Sequence, residues 1–128
     1  MYTLYWEYLA GSIVVQAALE EIGAPYTTAK VDMANGAHQS QDHRALCPAA
    51  TVPVLALPDG QAIGETSAIL HLLSERHPDG GLLPAAKAED RPGALYWLAY
   101  LASTGYPAIA RAWHPYRFAE SVAAREEV

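Results

Sequence analysis

A proline stands between two valines in TVPVLAL, residues 51–57, inside a run whose β-branched and apolar residues otherwise read as a strand. Proline has no amide to give to a ladder. Pro53 is therefore confined to the first residue of a strand, to an edge, or to a cis peptide that turns the preceding residue outward. In the cis form Val52 would offer its backbone N–H and C=O to an extended partner. A few residues on, after the turn PDG, Glu65, Thr66 and Ser67 open a second apolar run. That stretch also has two readings. As an N-cap, a hydroxyl oxygen satisfies the free amides and an acid suits the positive helix end. The same amides and dipole bind carboxylates. With a hydroxyl and a Glu carboxylate beside them, they would hold a group carrying both a carboxylate and an ammonium, such as an amino-acid head group.

Flanking patterns place these segments in a fold. YTLYW reads as a strand, and from Ser12 the apolar positions Val15, Ala18, Leu19 and Ile22 fall at i, i+3, i+4 and i+7 before Gly23. A second strand over residues 26–31 follows at the spacing of a βαβ unit, for which right-handed parallel pairing is expected. The polar run NGAHQSQDHRALCP supports a loop with an irregular helical turn or two. VPVLAL and QAI form a hairpin around PDG. A helix from Thr66 or Ser67 to about His77 carries Ile69, Leu70, Leu72 and Leu73 and is ended by HPDGG. The order is β-α-β-α-β-β-α. Beyond a boundary near residues 78–89, a long helix runs from about Asp90 to His114 with Leu95, Leu98, Ala99, Ala102, Tyr106, Ile109 and Trp113 along one stripe. Gly105 and Pro107 are expected to kink it, since proline lacks the amide that would bond back to Ser103.

Composition narrows the function classes. At 128 residues and 52% hydrophobic, the chain suits one compact domain, or a small domain with an appended piece. Eight Lys and Arg against 14 Asp and Glu give a net charge of −6 with no basic cluster, so neither nucleic acid nor an anionic membrane is an expected partner. No apolar run approaches a span of about 20 residues, and MYTLYWEYLAG lacks the features of a signal peptide, so a cytoplasmic chain is expected. The single cysteine, Cys47, excludes an internal disulfide, a CxxC pair and a cysteine-rich zinc site. His71 and His77 are too far apart in register to share a helical face, and no metal is expected. Trp6, Trp97 and Trp113 read as core residues.

The element order, the segment ALCPAATVPVL and the segment IGETSAI together resemble the N-terminal thioredoxin-like domain of glutathione S-transferases. The resemblance covers residues 1 to about 80. HPYRF, at the end of the long helix, resembles the family's helical second domain. What this implies is an α/β fold: a thioredoxin-like βαβαββα domain over residues 1–80, followed by a partial all-α helical domain over residues 81–128. By the same resemblance Val52, ahead of a cis Pro53, pairs with the cysteinyl backbone of glutathione. Thr66, standing where the family usually has Ser, receives the γ-glutamyl carboxylate, and Glu65 its amino group. His38 in GAHQS lies toward the glycine carboxylate. Cys47 replaces a usual Asn, and His43 a usual aromatic.

Chemistry on glutathione needs its thiolate, whereas a thiol of pKa ~8.5 is mostly protonated at neutral pH. Lowering that pKa by about two units takes about 2.7 kcal/mol of differential stabilisation, within reach of one charge-assisted hydrogen bond and a helix dipole. Ser12, heading the first helix, is the residue that the resemblance makes the activating donor, with Tyr5 in the first strand as its competitor. Gly11 occupies the position of the cysteine of the bacterial beta class, so mixed-disulfide chemistry through that residue is unavailable. The implied function is a glutathione-dependent transferase that attacks an electrophilic, largely apolar small molecule and works as a homodimer. The alternative is a non-catalytic glutathione-fold binding or dimerisation module, or an incomplete transferase. The family's chains are longer and wall the second pocket with several helices, so this chain is expected to bind glutathione better than it catalyses.

Overall fold

Alternation sets the first strand: in Tyr2–Trp6 (β1), Tyr2 and Leu4 are buried. Helix α1, Ser12–Glu21, buries Val15, Ala18 and Leu19. It closes with Gly23 in the left-handed region (φ 63°), where the Gly23 amide bonds to the Glu20 carbonyl and the Ala24 amide to the Leu19 carbonyl. The turn sends the chain directly into β2, Tyr26–Lys30, which pairs parallel with β1 from Tyr2 opposite Tyr26 to Trp6 opposite Lys30. This is the βαβ unit that the spacing predicts.

The computed structural model describes residues 1–126; Glu127 and Val128, the end of the charged tail SVAAREEV, lie outside the described residues. Between β2 and the hairpin, the polar run is more ordered than its composition suggests. It holds a 3-10 turn, Ala37–Gln39, and helix α2, Gln41–Leu46, whose start is capped by the Ser40 hydroxyl accepting the His43 amide at 3.2 Å. Strands β3, Val54–Ala56, and β4, Ala62–Gly64, form the hairpin, and Leu4 sits opposite Leu55 in the antiparallel β1–β3 pair. The sheet runs β2-β1-β3-β4. Helix α3, Thr66–Arg76, packs Ile69 and Leu73 with Leu4, Leu19 and Leu55 into a core with no exposed surface on any of the five. Each such side chain contributes about 1.5–3 kcal/mol by leaving water. The result is the thioredoxin-like arrangement of a four-stranded mixed sheet with helices.

At the hairpin turn, Asp59 accepts the Gln61 amide at 3.0 Å and the Arg76 guanidinium at 3.1 Å. The Gln61 amide most, and Arg76 after it, hold the Asp59 carboxyl below its ordinary range. The unfolded chain then takes up this proton at a higher pH than the folded one. The resulting stability is present in full above the ordinary aspartate range and fades as pH falls through the lowered folded value. Asp59→Asn is expected to flatten the acid-side dependence of the urea midpoint on pH. Equal slopes in parent and variant would remove the assignment.

The chain divides into two compact units, Met1–Ala86 and a second that begins at Lys87. In the second, the long helix expected from sequence is two helices, α4 (Arg91–Tyr100) and α5 (Tyr106–Trp113), joined by a π turn over Leu101–Gly105. There the Tyr106 amide bonds to the Leu101 carbonyl, one residue further back than in an α-helix. Pro107 follows at once; it has no amide to return to Ser103, and the hydrogen-bond ladder shifts just ahead of it. A 3-10 turn, Pro115–Arg117, and a short helix α6, Val122–Glu126, follow, so the charged segment SVAAREEV holds a helical turn. Trp97 and Trp113, read from sequence as core, are exposed, as two helices of this length cannot cover an apolar stripe by themselves. Trp6 does pack against the core. Among the described residues, no helix is long and apolar enough to cross a membrane.

Candidate functional site

Three segments distant in sequence meet where α3 begins. A Cβ placed on Gly11, at the end of the β1–α1 loop, would lie 2.9 Å from Thr66 Oγ1 and 3.5 Å from Pro53 Cδ. Only a residue without a side chain lets the loop approach so closely. Across the same gap the Thr66 hydroxyl donates to the Gly11 carbonyl at 3.4 Å.

The middle segment is the one that the sequence marks with its proline. The Val52–Pro53 peptide is cis, and Val52 lies outside the β1–β3 ladder, which begins at Val54. Two buried residues fasten the chain just ahead of it. His43 of α2 uses its Nε2–H to donate to the Thr51 carbonyl at 2.9 Å, which assigns its tautomer. Cys47 Sγ lies 3.7 Å from Thr51 Oγ1 and 3.4 Å from where a Gly64 Cβ would be, so its thiol fills space behind the proline.

The third segment, Glu65 to Ser67, does not act as a side-chain cap. No side chain caps α3, and the Thr66 hydroxyl is turned toward Gly11. Glu65 is exposed and holds a left-handed conformation, φ 66° and ψ 113°, that a residue with a Cβ rarely adopts. The first-turn amides of α3 are thus without a side-chain acceptor, and the positive end of the helix lies beside Pro53 and Gly11.

On the β1–α1 side, Ser12 is the first residue of α1, with Gly11 as its cap residue. Its side chain is buried, and its hydroxyl donates to the Glu7 carbonyl at 3.2 Å. Tyr5 is half-buried in β1, opposite Val54, with its ring edge-on to His43 at 6.2 Å. Glu7 was not singled out in the sequence, although a lone acid in the aromatic stretch YWEYL is an anomaly that could have flagged it. Its carboxylate accepts the Tyr8 amide at 2.8 Å and the Met33 amide at 3.2 Å, with Lys30 Nζ 3.6 Å away. The two amides, and then Lys30, hold it below the ordinary carboxylate range. Tyr8, Leu9 and Ile13, in the loop and the first turn of α1, are exposed. His38 sits apart from the Gly11 junction in the 3-10 turn before α2, half-buried, its Nδ1 lacking a hydrogen-bond partner among the described residues.

Comparison with known proteins fits this geometry. Residues 12–76, half of the chain, match the family model of the glutathione S-transferase N-terminal domain. A maleylacetoacetate isomerase of Rhizobium meliloti (strain 1021) is 38% identical over 81 residues, which are 63% of this chain and 37% of that protein. A glutathione transferase homologue from Sulfitobacter, solved with bound glutathione, matches at a TM-score of 0.84 and 33% identity over 99% of this chain and 61% of its own. A sphingomonad glutathione S-transferase complexed with glutathione matches at 0.79 and 32%, over 95% and 60%. The chain therefore spans less than two thirds of the length of each of these relatives. By its fold and by the match over residues 12–76, it belongs to the glutathione S-transferase family.

Proposed function

We propose that the chain binds glutathione on its first unit and presents the thiolate to an electrophilic, largely apolar small molecule. What supports this most directly is the meeting of Gly11, Pro53 and Thr66 at the uncapped start of α3. A carboxylate placed there gains free amides and the helix dipole. In this reading Thr66 and those amides receive the γ-glutamyl carboxylate, and Glu65 its ammonium. The Val52 backbone, ahead of Pro53, pairs with the cysteinyl portion, and the His38 ring lies toward the glycine carboxylate. Residues 1–80 act as the glutathione-binding domain and residues 81–128 as a helical domain. The exposed Tyr8, Leu9 and Ile13 suit an apolar second substrate, and the exposed Trp97, Ile109 and Trp113 suit a homodimer. Removal of reactive electrophiles in the cytoplasm is the role such chemistry serves.

Ser12 is the proposed activating donor, with Tyr5 as its competitor. Before glutathione arrives, the Ser12 hydrogen is given to the Glu7 carbonyl, so donation to a thiolate requires the hydroxyl rotor to turn. That commitment favours a second reading, a glutathione-binding or dimerisation module without turnover. Calorimetry with glutathione, followed by titration of the bound thiol through thiolate absorbance, tests both. The parent is expected to bind. Ser12→Ala is expected to raise the bound thiol's pKa by about one unit, or about 1.4 kcal/mol, with affinity nearly intact. Identical titrations would pass the activating role to Tyr5 or to backbone amides. Binding without turnover of a generic electrophile would leave the module, and no binding would remove both readings.

A further inference from the structure

We propose that Glu7 is a positioning residue for this site: its carboxylate staples the β1–α1 loop to the chain leaving β2 and thereby fixes Ser12. The inference rests on the glutathione reading above. Although Glu7 lies on a loop, its side chain is only 17% exposed. Its two oxygens divide between two segments, Oε1 taking the Tyr8 amide and Oε2 the Met33 amide 26 residues away. Bonds from amides to a carboxylate are charge-assisted and stronger than neutral ones. The same residue acts through its main chain, because its carbonyl is the acceptor of the Ser12 hydroxyl. Displacing Glu7 displaces the group that orients Ser12.

The loop's other anchors are the Thr66 hydroxyl on the Gly11 carbonyl at its far end and the Tyr8 ring edge-on to Trp6. Leu9, two residues beyond Glu7, is fully exposed at φ 54°, so its side chain packs on nothing that would hold the backbone there. The far end of the staple is just as placed for function: Met33 opens the turn closed by the Gly36 amide on the Met33 carbonyl, which leads into the turn bearing His38. One carboxylate thus ties together the Ser12 side and the His38 side. Lys30 is the charged group facing it. Half-exposed, and also lying over the Tyr8 ring at 4.6 Å, Lys30 adds a screened attraction rather than the geometry.

The test uses Glu7→Ala, Glu7→Gln and Lys30→Met in the full chain, the first also combined with Ser12→Ala. Amide hydrogen exchange is measured without ligand, and the thiol pKa with glutathione bound. Glu7→Ala is expected to speed exchange at Tyr8 and Met33 by roughly tenfold or more, with Leu4 and Leu55 unchanged. It is expected to raise the bound thiol's pKa as far as Ser12→Ala does, and the double variant no further. Glu7→Gln, which keeps one acceptor oxygen, should fall between, and Lys30→Met should move neither reading by more than about twofold. Faster exchange throughout the sheet would make Glu7 a general stabiliser and overturn the proposal. Additive pKa shifts, or a loosened loop with an unchanged thiol, would do the same. If the parent takes up no glutathione, the glutathione reading falls by itself. The exchange pattern then decides the staple, which selective loosening at Tyr8 and Met33 supports and unchanged rates there remove.

Discussion

Glu65→Ala is expected to weaken glutathione binding by about 1–3 kcal/mol, roughly ten- to hundredfold, while the ligand-free chain keeps its denaturant midpoint. The separation follows from where Glu65 sits. Its side chain is exposed, so truncation opens no cavity in the core. Its backbone conformation, φ 66° and ψ 113°, belongs to a class that costs about 1–3 kcal/mol in a residue with a Cβ, and alanine retains the Cβ that causes it. What alanine lacks is the carboxylate proposed to meet the ligand's ammonium. Thr66→Val makes the instructive contrast, since it also removes the hydroxyl bonded to the Gly11 carbonyl and should lower both affinity and stability. Calorimetry alongside urea titration checks the pair. An unchanged affinity in Glu65→Ala would leave this strained residue without a ligand-binding role.

Gly11→Ala should be as damaging from the opposite wall. The added methyl would sit 2.9 Å from Thr66 Oγ1, a separation that real Cβ contacts do not sustain, so either the loop retreats or Thr66 turns away. Overpacking of this kind costs about 1–3 kcal/mol of stability. Affinity should fall about tenfold or more, because Thr66 and the loop carrying Ser12 are both displaced from the ligand. A crystal structure of the variant with glutathione bound and Thr66 unmoved, or an affinity equal to the parent's, would show that the close approach is incidental.

How far these features were legible differs from element to element. β1, α1 and α3 follow from periodicity, because each buries one face against the same core, whereas β2, which buries no residue fully, follows from its spacing after Gly23 in a βαβ unit. Helix α2 was legible only as an irregular helical turn or two: six residues hold too few turns for a stripe, and its start depends on the Ser40 cap. The long helix of the second unit was expected to kink at Gly105 and Pro107, and its interruption does lie there, but spacing alone cannot reveal that it takes the form of a change of hydrogen-bond partner. At the site, the proline in TVP and the acid and hydroxyl in ETS were conspicuous because each breaks a local rule. The contact between Gly11 and Thr66 was not, since 55 residues separate them and a glycine carries no sign of what approaches it. Nor could sequence say that the Ser12 hydroxyl faces the Glu7 carbonyl, or that Glu7 reaches Met33; both depend on how two loops fold beside each other.

The π turn between α4 and α5 has a consequence on the scale of genes. A π turn is an α-helix with one residue added, and in a helix each residue is worth about 100° of rotation. Because the extra residue is taken up within Leu101–Gly105, where one hydrogen-bonded turn holds a residue more than in an α-helix, losing a single codon there would let an unbroken α-helix re-form with Ile109 and Trp113 close to their present facing. It would also set Pro107 inside an α-helical ladder that it cannot complete. Substitutions in this stretch alter one side chain at a time, and loss of the extra residue disturbs the ladder around Pro107 rather than the facing of the side chains after it, so lineages should vary freely in residue type there while the insertion and Pro107 are kept or lost together.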